Sequence, residues 1–178
     1  MKKLIGRNSR FLLILFILFE CCQVKDGPVV TYYRNGNKEV EGYIKNNHKQ
    51  GTWKYFDTDG KIEFEINYKD GKKFGRYVHY CSNGQINDIM FYNSNQELTG
   101  ISKNFYCDGK IRAIMKYING ELDSTQTIYY KSGQIESINQ YKIGTKVGKW
   151  IFFNEMGDTI RTEEYNKGLL EKVKSFLN

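Results

Sequence analysis

The sequence predicts an all-β protein: an elongated, single-sheet solenoid of about six consecutive antiparallel β-hairpins on a 24-residue repeat, with a short C-terminal capping helix. Three observations lead there. Glycine recurs at Gly36, Gly60, Gly84, Gly109, Gly133 and Gly157, at spacings of 24, 24, 25, 24 and 24 residues, the kind of period that marks a repeat architecture. Four residues before each stands an aromatic: Tyr32, Phe56, Tyr80, Phe105, Tyr129 and Phe153. Eight residues after it comes Tyr68, Tyr92, Tyr117, Tyr141 or Tyr165, with Ile44 in the first copy. The composition agrees, because 15% aromatics, 17 Gly and a single Pro suit strands and tight turns.

Within each copy the residue pairs ending at the phrase glycine are Asn-Gly, Asp-Gly, Asn-Gly, Asp-Gly, Ser-Gly and Met-Gly, mostly strong hairpin signals. A three-residue loop ending in the glycine sets Phe56 opposite Ile62, Tyr80 opposite Ile86, Phe105 opposite Ile111 and Tyr129 opposite Ile135. A two-residue loop would set Phe56 against Glu63, Phe105 against Arg112 and Tyr129 against Glu136, so the pairing pattern selects the longer loop. The glycine then takes the left-handed position of a bulged turn. Further glycines at Gly71, Gly120, Gly144 and Gly168, and at Gly51, Gly75, Gly100 and Gly148, punctuate the links between hairpins.

The ends read differently. "MKKLIGRNSR" is basic and "FLLILFILF" is an apolar run from Phe11 to Phe19, the order of an export signal and too short for a membrane-spanning helix. The expected segments are a signal peptide at 1–21, a linker at 22–28, repeats at 29–168 and a capping helix at 169–178. For that helix, Leu169, Leu170, Val173, Phe176 and Leu177 fall at helical spacing, away from Glu171, Lys172 and Lys174.

Of the net charge of +7, the first twenty residues hold +3, from Lys2, Lys3, Arg7 and Arg10 against Glu20. The remaining +4 is scattered, without an arginine cluster or basic stripe, which argues against nucleic acid as a partner. Two histidines, His48 and His79, leave little material for metal or acid/base sites, and no catalytic residue, metal or cofactor is expected. His79 and Cys81 share one strand, but no third group is apparent to orient the imidazole. Cys81 and Cys107 are expected to be free thiols. In equivalent strands of consecutive units one strand intervenes, which implies about 9–10 Å between them, beyond disulfide reach. The carboxylate pairs Glu163/Glu164 and Asp57/Asp59 read as solvated or turn residues.

"WKYFDTDGKIEFEINYKDGKKFG", from Trp53 to Gly75, and "WIFFNEMGDTIRTEEYNKG", from Trp150 to Gly168, resemble the MORN-repeat-variant family. The resemblance spans about 29–168. It implies a twisted sheet of hairpins. Many bacterial members are described as YwqK-type antitoxins of toxin–antitoxin systems, and others as exported lipoproteins. Trp appears only at Trp53 and Trp150, and Tyr77 stands in once. The cysteines after the apolar run resemble a lipoprotein lipobox, with Leu18 three before Cys21 and Phe19 three before Cys22, although Glu20 is unusual. "WKYFDTDG" is also similar to the aromatic hairpin repeat of cell-wall-binding modules, whose ring cages hold a ligand cation.

The expected function is non-catalytic: a protein-interaction or scaffold repeat at the bacterial cell envelope, exported and tethered to a membrane by lipid at Cys21 or Cys22. Its contact surface would be the aromatic ladders, with Trp53 and Trp150 among them, and its partner a protein. Two alternatives are a module binding cell wall, carbohydrate or lipid headgroup, and an antitoxin neutralising a partner toxin.

Overall fold

The computed structural model describes residues 25–176. One open antiparallel sheet contains all 15 strands in chain order. The first hairpin is β1 (Gly27–Tyr32) and β2 (Lys38–Lys45), the second β3 (His48–Phe56) and β4 (Ile62–Lys69), the third β5 (Lys72–Tyr80) and β6 (Ile86–Tyr92). The fourth is β7 (Gly100–Phe105) and β8 (Ile111–Ile118), followed by the two-residue β9 (Glu121–Leu122). The fifth is β10 (Ser124–Tyr129) and β11 (Ile135–Lys142), followed by β12 (Thr145–Lys146). The sixth is β13 (Gly148–Phe153) and β14 (Thr159–Asn166), and β15 (Leu169–Ser175) completes the sheet. The expected signal peptide, the expected lipidation positions Cys21 and Cys22, and Leu177 lie outside the described residues.

The hairpin turns follow from the phrase glycine. In the second hairpin the Gly60 N–H donates to the Asp57 carbonyl (3.0 Å) and the Asp57 N–H to the Lys61 carbonyl (2.8 Å), while Gly60 has φ +82°. That is a three-residue loop with a left-handed bulge residue. It produces the expected register: Phe56 pairs with Ile62, Tyr80 with Ile86, Phe105 with Ile111 and Tyr129 with Ile135.

The connections are turns of a second kind. Asn46-Asn47, Asp70-Gly71, Asn119-Gly120, Ile143-Gly144 and Lys167-Gly168 all have positive φ at both residues, the condition for two-residue turns that match strand twist. The third connection alone differs. Asn93 N–H donates to the Glu97 carbonyl (2.9 Å) and Gln96, at φ 65°, donates to the Asn93 carbonyl (3.0 Å). This longer turn absorbs the extra residue of the 25-residue spacing.

Alternation and register sort the side chains onto two faces. One face carries the core: Trp53, Ile66, Met115 and Trp150 are buried there, with Ser102 and Asn139 in the same row. Trp53 lies flat on Gly42, where any Cβ would meet the indole. The opposite face carries a central ladder of cross-strand neighbours. It runs from Glu41, Lys54 and Glu65 through Val78, Ile89 and Lys103 to Ile114, Thr127, Ile138, Ile151 and Thr162. Its charged beginning pairs Lys54 with Glu41 at 3.5 Å; its later part is mostly β-branched.

Two expectations need correction. The tail at 169–178 is no helix: β15 pairs with β14 from Asn166↔Leu169 to Arg161↔Ser175. The apolar spacing fits a helix, but the Lys167-Gly168 turn repeats the connection geometry and returns the chain along β14. Pairing there satisfies backbone donors and acceptors of β14 that a helix would leave open. Lys172 and Lys174 then lie on the outer strand, a usual protection for a sheet edge.

Cys81 and Cys107 are not free thiols: they form a disulfide with Cα atoms 5.8 Å apart. The flat-sheet spacing fails because both residues lie just past strand ends, in turns 81–85 and 106–110, where neither interstrand spacing nor pleat alternation applies. At the position of Cys81, the first of the turn, other hairpins carry Tyr33, Tyr106 and Tyr130. Their hydroxyls donate to the carbonyls of Phe56 (2.7 Å), Tyr129 (2.8 Å) and Phe153 (2.7 Å) of the next hairpin. Side chains at this position reach across to the following turn, and Cys81 does the same by a covalent bond.

Candidate interaction surfaces

On the core face, three stations repeat a single arrangement. The Lys49 ammonium lies 4.3 Å from the Trp53 ring centroid and 5.1 Å from that of Tyr68, and donates to the Tyr55 hydroxyl at 2.8 Å. Lys73 lies over Tyr77 (5.9 Å) and Tyr92 (5.5 Å). Lys146 lies over Trp150 (4.4 Å) and Tyr165 (4.9 Å). In the fourth and fifth hairpins the leading aromatic is replaced by Ser102 and Gln126, and the lysine position is then Leu98 or Leu122. From the second hairpin to the sixth, lysine thus occurs only where the leading residue is aromatic. This co-variation is present in the sequence and was the available signal for the stations.

The second-strand tyrosines sit along this row. Trp53 packs edge-on against Tyr68 (6.2 Å), Tyr77 against Tyr92 (6.2 Å), and Trp150 lies between Tyr141 (5.1 Å) and Tyr165 (5.0 Å). Burial, with the Tyr55 hydroxyl bonded to it, pushes the Tyr68 phenol up to about 12. Burial, with Tyr92 and Asp88 nearby, does the same to Tyr77, also to about 12. Tyr117 and Tyr141 are raised by burial as well.

Toward the turns on the same face, His79 stacks on Phe64 (4.8 Å, 15° between planes). Its Nδ1 lies 3.0 Å from the Asp88 carboxylate, and Asn104 Nδ2 donates to the other oxygen of that carboxylate. Asp88 is therefore a group that orients the imidazole, one that could not be named from the sequence because it lies on the neighbouring strand.

The phrase aromatics occupy the other face. Tyr32, Phe56, Tyr80, Phe105, Tyr129 and Phe153 stand beside the turns, interleaved with their partners Ile62, Ile86, Ile111 and Ile135. Tyr32 is 60% exposed, and Ile111 and Ile135 are exposed too. Beside this row runs the ladder from Val78 to Ile151, in which Val78 is buried and Lys103 interrupts the β-branched residues. From Ile114 to Ile151 the two rows form one continuous apolar field, and no element among the described residues covers it.

The turn edge is tied along its length. Asn37 Nδ2 donates to the Thr58 carbonyl (2.8 Å), Lys61 Nζ to that of Ser82 (2.8 Å), Asn83 Nδ2 to that of Cys107 (2.6 Å) and Lys110 Nζ to that of Lys131 (3.1 Å). The phrase glycines provide the geometry for this edge, with φ from +82° to +101°. The connection edge displays Ile118, Ile143 and Leu169, the last two 63% and 74% exposed, near Lys142 and Lys167. The described chain begins at the same edge, where Asp26 accepts from the Asn46 N–H at 2.6 Å.

No curated protein matches this chain. A solved structure, a GtfA/B complex bound to UDP and GlcNAc, is similar over 64% of this chain and 22% of that one, at 15% sequence identity and a TM-score of 0.35. Three segments, 25–46, 49–70 and 122–142, which hold the first, second and fifth hairpins, match the profile of the MORN repeat variant.

Proposed function

We propose that the protein is a non-catalytic interaction scaffold at the bacterial cell envelope, and that a protein partner docks on the apolar field formed by the phrase aromatics and the β-branched ladder. The observation that carries this reading is that field itself: two adjacent apolar rows on one side of a one-layer sheet, uncovered among the described residues. Apolar surface of that extent is a usual mark of a partner site. Ile111→Lys and Ile135→Lys together should abolish capture by a photo-crosslinker placed at Phe105, with thermal stability held near wild type. Undiminished capture of the same partner would refute the reading.

Export and lipid anchoring at Cys21 or Cys22 form the second part of the proposal. Two features support it. A disulfide persists in oxidising compartments and is rare in the cytosol. The described chain also starts at the connection edge, whose exposed Ile143 and Leu169 beside Lys142 and Lys167 suit an interfacial membrane surface. The phrase aromatics, beside the turn edge, would then stand at the side of the sheet remote from the anchor plane. Metabolic lipid labelling of wild type and of Cys21→Ser/Cys22→Ser tests the tether: label retained in the double variant would exclude it. As for a wall-binding module, the ring faces that a ligand cation would need are filled by the protein's own Lys49, Lys73 and Lys146.

A further inference from the structure

The seam between the third and fourth hairpins is one of three short ones and differs from the other two in what holds it. There β6 pairs with β7 at Asp88↔Asn104 and Ile89↔Lys103, with an isolated bridge at Tyr92↔Leu98. The seams β8–β10 and β11–β13 also have two paired positions each, whereas β4 and β5 pair from Phe64↔His79 to Lys69↔Lys72. The connection at this seam is the longer Asn93–Glu97 turn, and the lysine-on-ring station is replaced by Leu98 and Ser102. In their place the seam has the His79, Asp88 and Asn104 network and the Cys81–Cys107 disulfide.

The disulfide is also accessible from one side. Cys107 is exposed and Cys81 buried, and both line an open cavity of about 340 Å³ together with His79, Asn87, Asp57 and Glu63. Asn87 Nδ2 lies 3.4 Å from Cys81 Sγ and 3.9 Å from Cys107 Sγ, so a charge forming on Cys81 would meet a donor already in place.

We propose that Cys81–Cys107 is a thiol-exchange site whose substrates are low-molecular-weight thiols, and that its opening loosens the seam between the third and fourth hairpins. A thiolate attacks the exposed Cys107 Sγ, the S–S bond breaks, and the electron pair leaves on Cys81 Sγ, beside the Asn87 amide. The Cys81 thiolate takes a proton from solvent or from the imidazole in the same cavity. A second thiol then displaces Cys107 from the mixed disulfide. Two thiols are thereby oxidised to one external disulfide and the protein gains two thiols.

Reduced glutathione added to the native full-length chain, followed by acid quench and peptide mapping, tests the chemistry. The mixed disulfide is expected on Cys107; finding it on Cys81, or finding exchange only after denaturation, overturns the proposal. Hydrogen exchange tests the consequence. After reduction, amides of β6 and β7 should exchange at least about tenfold faster, while those of β3 and β4 stay unchanged. The Cys81→Ser/Cys107→Ser protein should show the same fast seam without thiol. A seam unchanged in both, or a loss of protection across the whole sheet, would refute a local clasp.

Discussion

Lys146 sits on the face of Trp150, its ammonium 4.4 Å from the ring centroid. The matching pair, Lys49 on Trp53, is at 4.3 Å, so ends of the sheet four hairpins apart use the same cap. Such a contact is worth about 0.5–1 kcal/mol at exposed sites and more where water is excluded. Lys146→Gln should therefore lower unfolding stability by about 1 kcal/mol. Lys146→Leu should recover part of it, because leucine already fills this position at Leu98 and Leu122. Urea denaturation of the three proteins checks the ranking, and equal stability of all three would deny the cap any energetic role.

Gly42 is the bed on which the Trp53 indole lies, and any Cβ there would fall inside the ring's contact distance. Gly42→Ala should cost about 1–3 kcal/mol, the usual penalty for overpacking. In a Trp150→Phe background the remaining indole reports the displacement directly, as a shift of emission toward that of a solvent-exposed tryptophan.

Opposite the second-strand tyrosine the backbone turns left-handed in five hairpins. Gly51, Gly75, Gly100 and Gly148 fill four of these positions, and Ser124, at φ 70°, fills the other. A non-glycine residue pays about 1–2 kcal/mol there, offset in part by the greater unfolded-state freedom of glycine. Ser124→Gly should stabilise the protein by about 0.5–1 kcal/mol and Gly75→Ser should destabilise it. A thermal melt in which Ser124→Gly unfolds earlier would contradict this.

The Tyr130 hydroxyl joins the fifth turn to the sixth hairpin through the Phe153 carbonyl at 2.7 Å. Removing only that oxygen in Tyr130→Phe should cost about 1 kcal/mol. The effect should appear as faster amide exchange in β13 and β14, with the second hairpin as the internal reference.

Alkaline pH should unfold the protein through its tyrosines. Tyr68 and Tyr77 keep their protons up to about 12 in the folded chain, against an ordinary value of 10.0. The unfolded chain releases those protons first, so stability is complete below pH 10 and falls as pH rises toward 12. Parallel titrations of tyrosinate absorbance and of β-sheet circular dichroism check this. Tyr68→Phe/Tyr77→Phe should shift the alkaline midpoint upward.

The hairpins and their register were legible in the sequence because a single residue type, the phrase glycine, fixes both the turn and the pairing around it. The MORN-variant match extends to three of these units. The tail was misleading because the apolar spacing of "LLEKVKS" fits a helix, and what decides for a strand is the open edge of β14, a partner outside any local window. The disulfide was missed for a related reason: interstrand spacing was applied to residues that had left the strands. Tyr33, Tyr106 and Tyr130 at the position of Cys81 were the visible clue that this turn position bridges to the next hairpin. The His79 and Asp88 pairing, across strands, had no sequence counterpart at all.

The Asn93–Glu97 turn accepts one residue more than its counterparts, yet Tyr92↔Leu98 and Gly100↔Tyr117 stand in the same phase as their equivalents elsewhere. Distance along the chain and position in the sheet are therefore uncoupled at that edge, which works like an expansion joint. The extra residue lengthens the chain there without rotating a single side chain beyond it to the wrong face.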